Sequence, residues 1–172
     1  RPGDIIKSFS GKTVEIGNTD AEGRLILADA MSYSIKKYKP KGLIDMATLT
    51  GACVVALGEK IAGLFSLDND LSETIIQSGE STYERCWQLP MPEDYKKQLE
   101  SDFADINNMA NTRWGGAITA ALFLSEFASD TRWAHIDIAG PAYIKKGNAY
   151  CPAGGTGFGV RLICDVLEKL GK

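Results

Sequence analysis

Residues 13–40 read TVEIGNTDAEGRLILADAMSYSIKKYKP. An extended stretch, Thr13 to Ile16, gives way to the polar loop GNTDAEGR, and a helical pattern follows in which Leu27, Ala30, Met31, Ser34, Ile35 and Tyr38 recur on one face until Pro40. A charged loop joining a strand end to a helix start is the repeating unit of open α/β sheets, and such junctions are where those sheets place ligands. Two carboxylates, Asp20 and Glu22, stand in this loop one alanine apart and are followed at once by Gly23 and Arg24.

Outward from that unit the alternation continues. Gly42 to Ala47 reads as a buried strand running into TLTGA, CVVAL as a short helix, and Ile61 to Leu67 as a second strand. Asp70 or Ser72 can cap a helix running towards Gly79. Beyond Pro90-Met91-Pro92, DYKKQLES suggests a short helix and FADINNMANTRWGG a strand entering a long irregular loop. An apolar helix from Ala117 to about Ala128 precedes the strand Ala134 to Ile138, and Val160, Ile163, Cys164, Leu167 and Leu170 close the chain at helical spacing. Strand runs without in-out alternation, interleaved with helices, predict an α/β fold: three layers, α/β/α, around a mixed, mainly parallel sheet. A length of 172 residues and 44% hydrophobic content suit one globular unit spanning 1–172.

Composition excludes several functions. Nineteen basic and 22 acidic residues are interspersed, so the concentrated basic face that nucleic acid requires is missing. Lys36, Lys37, Lys39 and Lys41 form the densest basic cluster, and their place before and after Pro40 suits complementation of a helix C-terminus. No apolar run reaches membrane-spanning length and no signal pattern opens the chain, which predicts a cytoplasmic protein without membrane partners. Cys53, Cys86, Cys151 and Cys164 lie far apart, as reduced and mostly buried thiols do. The one histidine, His135, rules out HExxH zinc sites and reads as a satisfied strand histidine. Trp87, Trp114 and Trp133 read mostly as core, with an interface as the other use. The chain opens at Arg1-Pro2-Gly3 without an initiator methionine, so a segment of something longer is expected.

Carboxylate oxygens are hard ligands for Mg, Mn and Zn, and two within one turn can share a pair of ions. DxE alone is common on solvated loops; its position at the strand–helix junction, with Arg24 as an anion site beside it, makes it informative here. The string NTDAEGRL, residues 18–25, resembles the signature of the leucine aminopeptidase family, the M17 metallopeptidases. The resemblance extends through RLILADAM, DMATLTGA at Asp45 to Ala52, GGAITAALFL at Gly115 to Leu124, HIDIAGPA at His135 to Ala142 and GTGFGVRL, and so covers essentially the whole chain as the C-terminal part of that family's catalytic domain.

The resemblance implies a two-metal exopeptidase releasing N-terminal residues, leucine among them, from peptides with a free N-terminus. Asp20 and Glu22 would be metal ligands, Glu22 bridging two divalent ions (Mn2+ or Zn2+). Arg24 would hold a bicarbonate acting as general base. Thr48, Leu49 and Gly51 would contact substrate, Ala139 and Ala142 would help line the pocket for the N-terminal side chain, and Asn18 and Ala21 would lie near the pocket of the second residue. The family's N-terminal domain, two further aspartate ligands, a lysine ligand and a catalytic lysine belong to upstream sequence absent here, so the expectation is an inactive isolated segment of a homohexameric enzyme. Ala117 stands where relatives often carry serine, a change expected to touch packing only.

Two rivals follow from the same residues. Gly154 to Gly159, GGTGFG, could cradle a phosphate at the start of the last helix, although it lacks a P-loop's Lys-Ser/Thr ending. The chain could also serve as a catalytically incomplete assembly module.

Overall fold

The computed structural model describes residues 1–171 and divides into two compact units. The first joins Arg1–Asp45 to Pro90–Trp133; the second joins Met46–Leu89 to the chain from Ala134 onward.

In the first unit, β1 (Ile5–Lys7) pairs antiparallel with β2 (Thr13–Glu15), and β2 pairs parallel with β6 (Ile106–Asn107). The register of β2 on β6 is fixed just before both strands begin to pair. Thr13 donates from its backbone N–H and from Oγ1 to Asp105 Oδ2, each at 2.7 Å, and Oγ1 accepts from the Asp105 amide at 3.0 Å. With Glu15 thereby opposite Asn107, the residues that follow the two strands, Gly17 and Asn108, meet.

A 3-10 turn, Thr19–Ala21, capped by the Asn18 side chain on the Asp20 amide at 2.8 Å, leads into α1 (Glu22–Tyr38). The buried residues of α1 are Arg24, Ala28, Met31 and Ser32. This corrects the face read from the sequence, since Ala30 is exposed and Tyr38 is 65% exposed. The helix starts five residues before Leu27, and its first inward residue is a cation that a purely apolar count passes over. Its end is as expected: Lys39 adopts a left-handed conformation, its N–H returns to Ile35 at 3.0 Å, and Lys36 and Lys37 occupy the last turn.

α4 (Gly116–Ser125) buries Ala117 and every residue from Thr119 to Leu124, the pattern of a helix apolar all round, and packs against α1. The stretch read as a short helix after Pro92 is a 3-10 helix, Glu93–Leu99. It places Lys96 3.0 Å from Glu126, which also takes Lys12 at 2.6 Å. Burial raises the pKa of Glu126, but the two lysines outweigh it and leave the carboxyl below its usual range.

The strands β3 (Gly42–Ala47) and β7 (Arg132–Asp137) each run from the first unit into the second, in a sheet ordered β3-β7-β4-β5 with β4 (Ala62–Ser66) and β5 (Cys86–Gln88). β4 is parallel to β5 and antiparallel to β7, and all five of its residues are buried, as its continuous apolar run required. His135 lies opposite Phe65, is 1% exposed and stacks on that ring with centroids 6.0 Å apart. It is the buried strand histidine expected.

The second unit adds α2 (Gly51–Leu57), α3 (Asn69–Thr82), the short antiparallel pair β8 (Tyr143–Ile144) and β9 (Gly154–Gly155), and α5 (Val160–Leu170), which packs on α3. The cap of α3 is Asp68, whose side chain accepts from Leu71 N–H at 2.8 Å, in place of Asp70 or Ser72. On α5 the buried pair is Leu162 and Val166, while Val160, Leu167 and Leu170 face outward. Both stripes are periodic, and periodicity does not say which of two apolar stripes finds a partner.

Trp133 is buried and donates from Nε1 to Asp45 at 2.7 Å, but Trp87 and Trp114 are 63% and 68% exposed, against the core reading of the three. The cysteines are free thiols, Cys53 and Cys86 buried, Cys151 partly buried and Cys164 exposed. No helix among the described residues is long and apolar enough to cross a membrane. The α/β class with mixed sheets and helices stands as read from the sequence.

Candidate active site

The signature loop belongs to the first unit, where one residue absent from the sequence reading organises it. Asn108 is fully buried, and every polar atom it has is committed to residues 15–24. Its Oδ1 accepts from Gly17 N–H at 2.9 Å and Asn18 N–H at 3.3 Å. Its Nδ2 donates to the carbonyls of Asn18 at 2.8 Å and Ala21 at 3.4 Å. Its backbone N–H reaches Glu15 at 2.9 Å, and its carbonyl accepts from Arg24 Nη1 at 2.9 Å. The neighbouring Asn107 closes the approach: a Cβ at Gly17 would lie 2.6 Å from Asn107 Oδ1, so a side chain there requires Asn107 to shift.

The loop so held presents Asp20 and Glu22 to solvent, and neither carboxylate has a hydrogen-bond or ion-pair partner among the described residues. Arg24 does the opposite. It is 8% exposed, with one of its guanidinium donors on Asn108 and its charge 6.0 Å from the centroid of the Phe123 ring. Asn18 is half-buried, with its side chain used as the cap described above, and Ala21 is half-buried. A hollow of about 260 Å³ lies beside the loop, lined by Gly17, Asn18 and Met109 to Arg113.

The donor chemistry of Asp20 and Glu22 suits hard divalent cations, and their lack of internal partners fits ligands awaiting an ion. Two carboxylates are only part of a set, for no group of three or more His, Cys, Asp or Glu able to hold a metal occurs among the described residues.

The remaining candidate residues belong to the second unit, and there Asp137 plays the organising part. It is 1% exposed at the end of β7. Its Oδ1 accepts from the N–H groups of Leu49 and Ala139, each at 3.1 Å, and its Oδ2 from the Thr50 hydroxyl at 2.7 Å. One carboxylate thus joins the segment of Thr48, Leu49 and Gly51 to that of Ala139 and Ala142. Thr50 passes the link on as the N-cap of α2, accepting from Cys53 N–H at 3.0 Å. Gly140 is required by the same closeness, since a Cβ there would collide with the Gly58 carbonyl. Burial and the Asp137 charge push the Cys53 thiol up to about 11, so it stays neutral.

Sequence reading missed Asn108 and Asp137. Both occur inside recognisable stretches, INNMAN and HIDIAG, but nothing in their spacing distinguishes a buried tie from an ordinary strand-end polar residue.

The glycine-rich rival meets a direct obstacle. The start of α5 is occupied by Glu84, 3% exposed, whose Oε2 accepts from Gly159 N–H at 3.0 Å and Leu162 N–H at 2.8 Å while Arg161 sits 3.2 Å from Oε1. The chain's own carboxylate takes the place a phosphate would need.

An α/β fold with a carboxylate-bearing strand–helix loop pinned by Asn108 places a candidate ligand site where open sheets carry them. The particular family is given by comparison: residues 1–164 match the model of the cytosol aminopeptidase family, catalytic domain, and the chain belongs to that family. It is 54% identical over 169 residues to a probable cytosol aminopeptidase of Syntrophotalea carbinolica, covering 98% of this chain and 34% of that protein. Probable cytosol aminopeptidases of Chlorobaculum tepidum and Cenarchaeum symbiosum are 55% and 53% identical, each over 98% of this chain and covering 33% and 35% of theirs. The chain therefore spans about a third of the length of the curated relatives it matches.

Proposed function

We propose that the whole protein is a cytosolic metal-dependent aminopeptidase that releases N-terminal residues, leucine among them, from peptides with a free N-terminus. The observation that carries this reading is the pair Asp20 and Glu22, exposed and without hydrogen-bond or ion-pair partners among the described residues, on a loop whose backbone is tied at four points by the Asn108 side chain. Asp20 and Glu22 would hold two divalent ions, Mn2+ or Zn2+, with the remaining ligands supplied by chain outside these residues. Bound there, the ions would hold the substrate amine, polarise the scissile carbonyl and lower the pKa of a water.

Arg24 would keep a bicarbonate beside them to take up the proton, its guanidinium fixed by the Asn108 carbonyl. Leu49 would accept a hydrogen bond from substrate through its carbonyl, in a backbone that Asp137 orients through the Leu49 N–H. Thr48 and Gly51 would flank it, Ala139 and Ala142 would line the pocket for the N-terminal side chain, and Asn18 and Ala21 would lie near the next residue. The 172 residues would form the C-terminal part of one catalytic domain, inactive when isolated. Homohexamer assembly would use exposed surface such as Trp87 and Trp114.

The test is hydrolysis of a leucyl amide with added manganese, by the full-length protein, by the isolated segment, and by full-length Asp20→Ala and Arg24→Ala. Loss of activity on both substitutions, with a silent segment, is the expected result. A full-length protein inactive with every divalent metal would return the reading to an assembly role.

A further inference from the structure

We infer that Asn108 is a positioning residue for metal uptake: its side-chain amide sets the backbone path of residues 17–21 and so the spacing at which Asp20 and Glu22 meet an ion. The inference rests on the metal reading above and adds a residue to it.

The geometry admits one chemistry at this position. Two N–H groups, of Gly17 and Asn18, point at Oδ1, while two carbonyls, of Asn18 and Ala21, face Nδ2. A carboxylate could serve the first pair but would oppose its oxygen to the second. A hydroxyl could not span both. Only an amide, in this orientation, offers acceptor and donor on opposite sides of one planar group. Because Asn108 is fully buried, no water can replace a lost partner cheaply, and the cost of a mismatch falls on the loop.

The loop has little other support. The side chains of Asp20 and Glu22 make no hydrogen bond or ion pair among the described residues, and the Asn18 cap on Asp20 is itself positioned by Asn108 through the Asn18 N–H and carbonyl. Residues that orient metal ligands from behind typically change affinity ten- to a hundredfold when altered. Asn108 also fixes Arg24 through its carbonyl, a contact that substitution of the side chain leaves available.

Isothermal titration of Mn2+ into the full-length protein tests this, with Asn108→Asp and Asn108→Ser compared to wild type and to Leu162→Ala. Leu162 is a fully buried residue of α5, so its truncation reports the effect of ordinary core destabilisation. Amide exchange of Gly17 and Asn18 is measured on the same samples. The inference expects about a tenfold or greater rise in the manganese concentration for half-saturation in both Asn108 variants, faster exchange at Gly17 and Asn18, and a change under twofold in Leu162→Ala. Wild-type manganese uptake with unchanged half-saturation in the Asn108 variants overturns the inference alone. A comparable loss in Leu162→Ala also overturns it, by showing that any destabilisation suffices. No uptake by wild type overturns the inference together with the metal reading.

Discussion

The loop of the first unit is held by a neutral amide and that of the second by a carboxylate, and the difference follows from what each has to grip. Around Asn108 the loop turns back on itself and offers donors and carbonyls together, so the tie must both donate and accept. Around Asp137 the groups to be joined are all donors, two N–H groups and a hydroxyl from two separate segments, and a carboxylate collects them. The charge strengthens each of those bonds and makes the residue harder to replace. A strand end in a barely buried context would give either residue to water; burial to 0% and 1% turns them into ties.

The largest expected effect is therefore on the charged side of this comparison. Asp137→Ala leaves three donors without their acceptor and should cost about 3–4 kcal/mol in urea unfolding. Asp137→Asn keeps one acceptor oxygen but turns an NH2 towards a donor, and should cost about half as much. A loss under about 1 kcal/mol for Asp137→Ala would show that water satisfies those donors and would remove the contrast with Asn108.

Acid should act next, on the first unit. Two carboxylates of the first unit have depressed pKa values, Asp105 under the Thr13 donors and Glu126 between Lys12 and Lys96. For Glu126 burial opposes the shift, and the lysines prevail. A carboxylate whose folded pKa lies below its unfolded value adds stability that is present above the unfolded pKa and lost as pH falls through the folded one. Amide exchange measured from pH 6 downward should thus rise around β2 and the end of α4, in the range below the usual carboxylate pKa of about 4. Exchange that stays flat there through that range would show that these carboxylates add no stability to the first unit.

The smallest effect is on reactivity. All four cysteines lie in the second unit, and burial raises Cys86 to about 12, with the Glu84 charge adding to it, and Cys53 to about 11. At pH 8 a thiol reagent should label Cys164, then Cys151, and reach Cys53 and Cys86 only after denaturant is added, as mass spectrometry of the labelled peptides would show. Rapid native labelling of Cys53 would mean that the segment joined by Asp137 opens freely.

Much of this molecule is legible in one dimension. Apolar runs announced β4, β7 and the buried α4 because a strand or helix hidden on all sides carries its own uninterrupted hydrophobic stretch; β3 is a strand as read, but only Asp45 of it is buried. The loop with Asp20, Glu22 and Arg24 stood out because an unusual mixture of residue types is local information. What the sequence left open were choices between equals: which apolar stripe of α5 is covered, which acidic residue caps α3, which tryptophan is core. Asn108 and Asp137 lie beyond any local reading, since the partners are 84 to 93 positions away for Asn108 and up to 88 for Asp137. Strand register and burial, which exist only once the chain has folded, make one asparagine and one aspartate among many into the ties that shape both candidate loops.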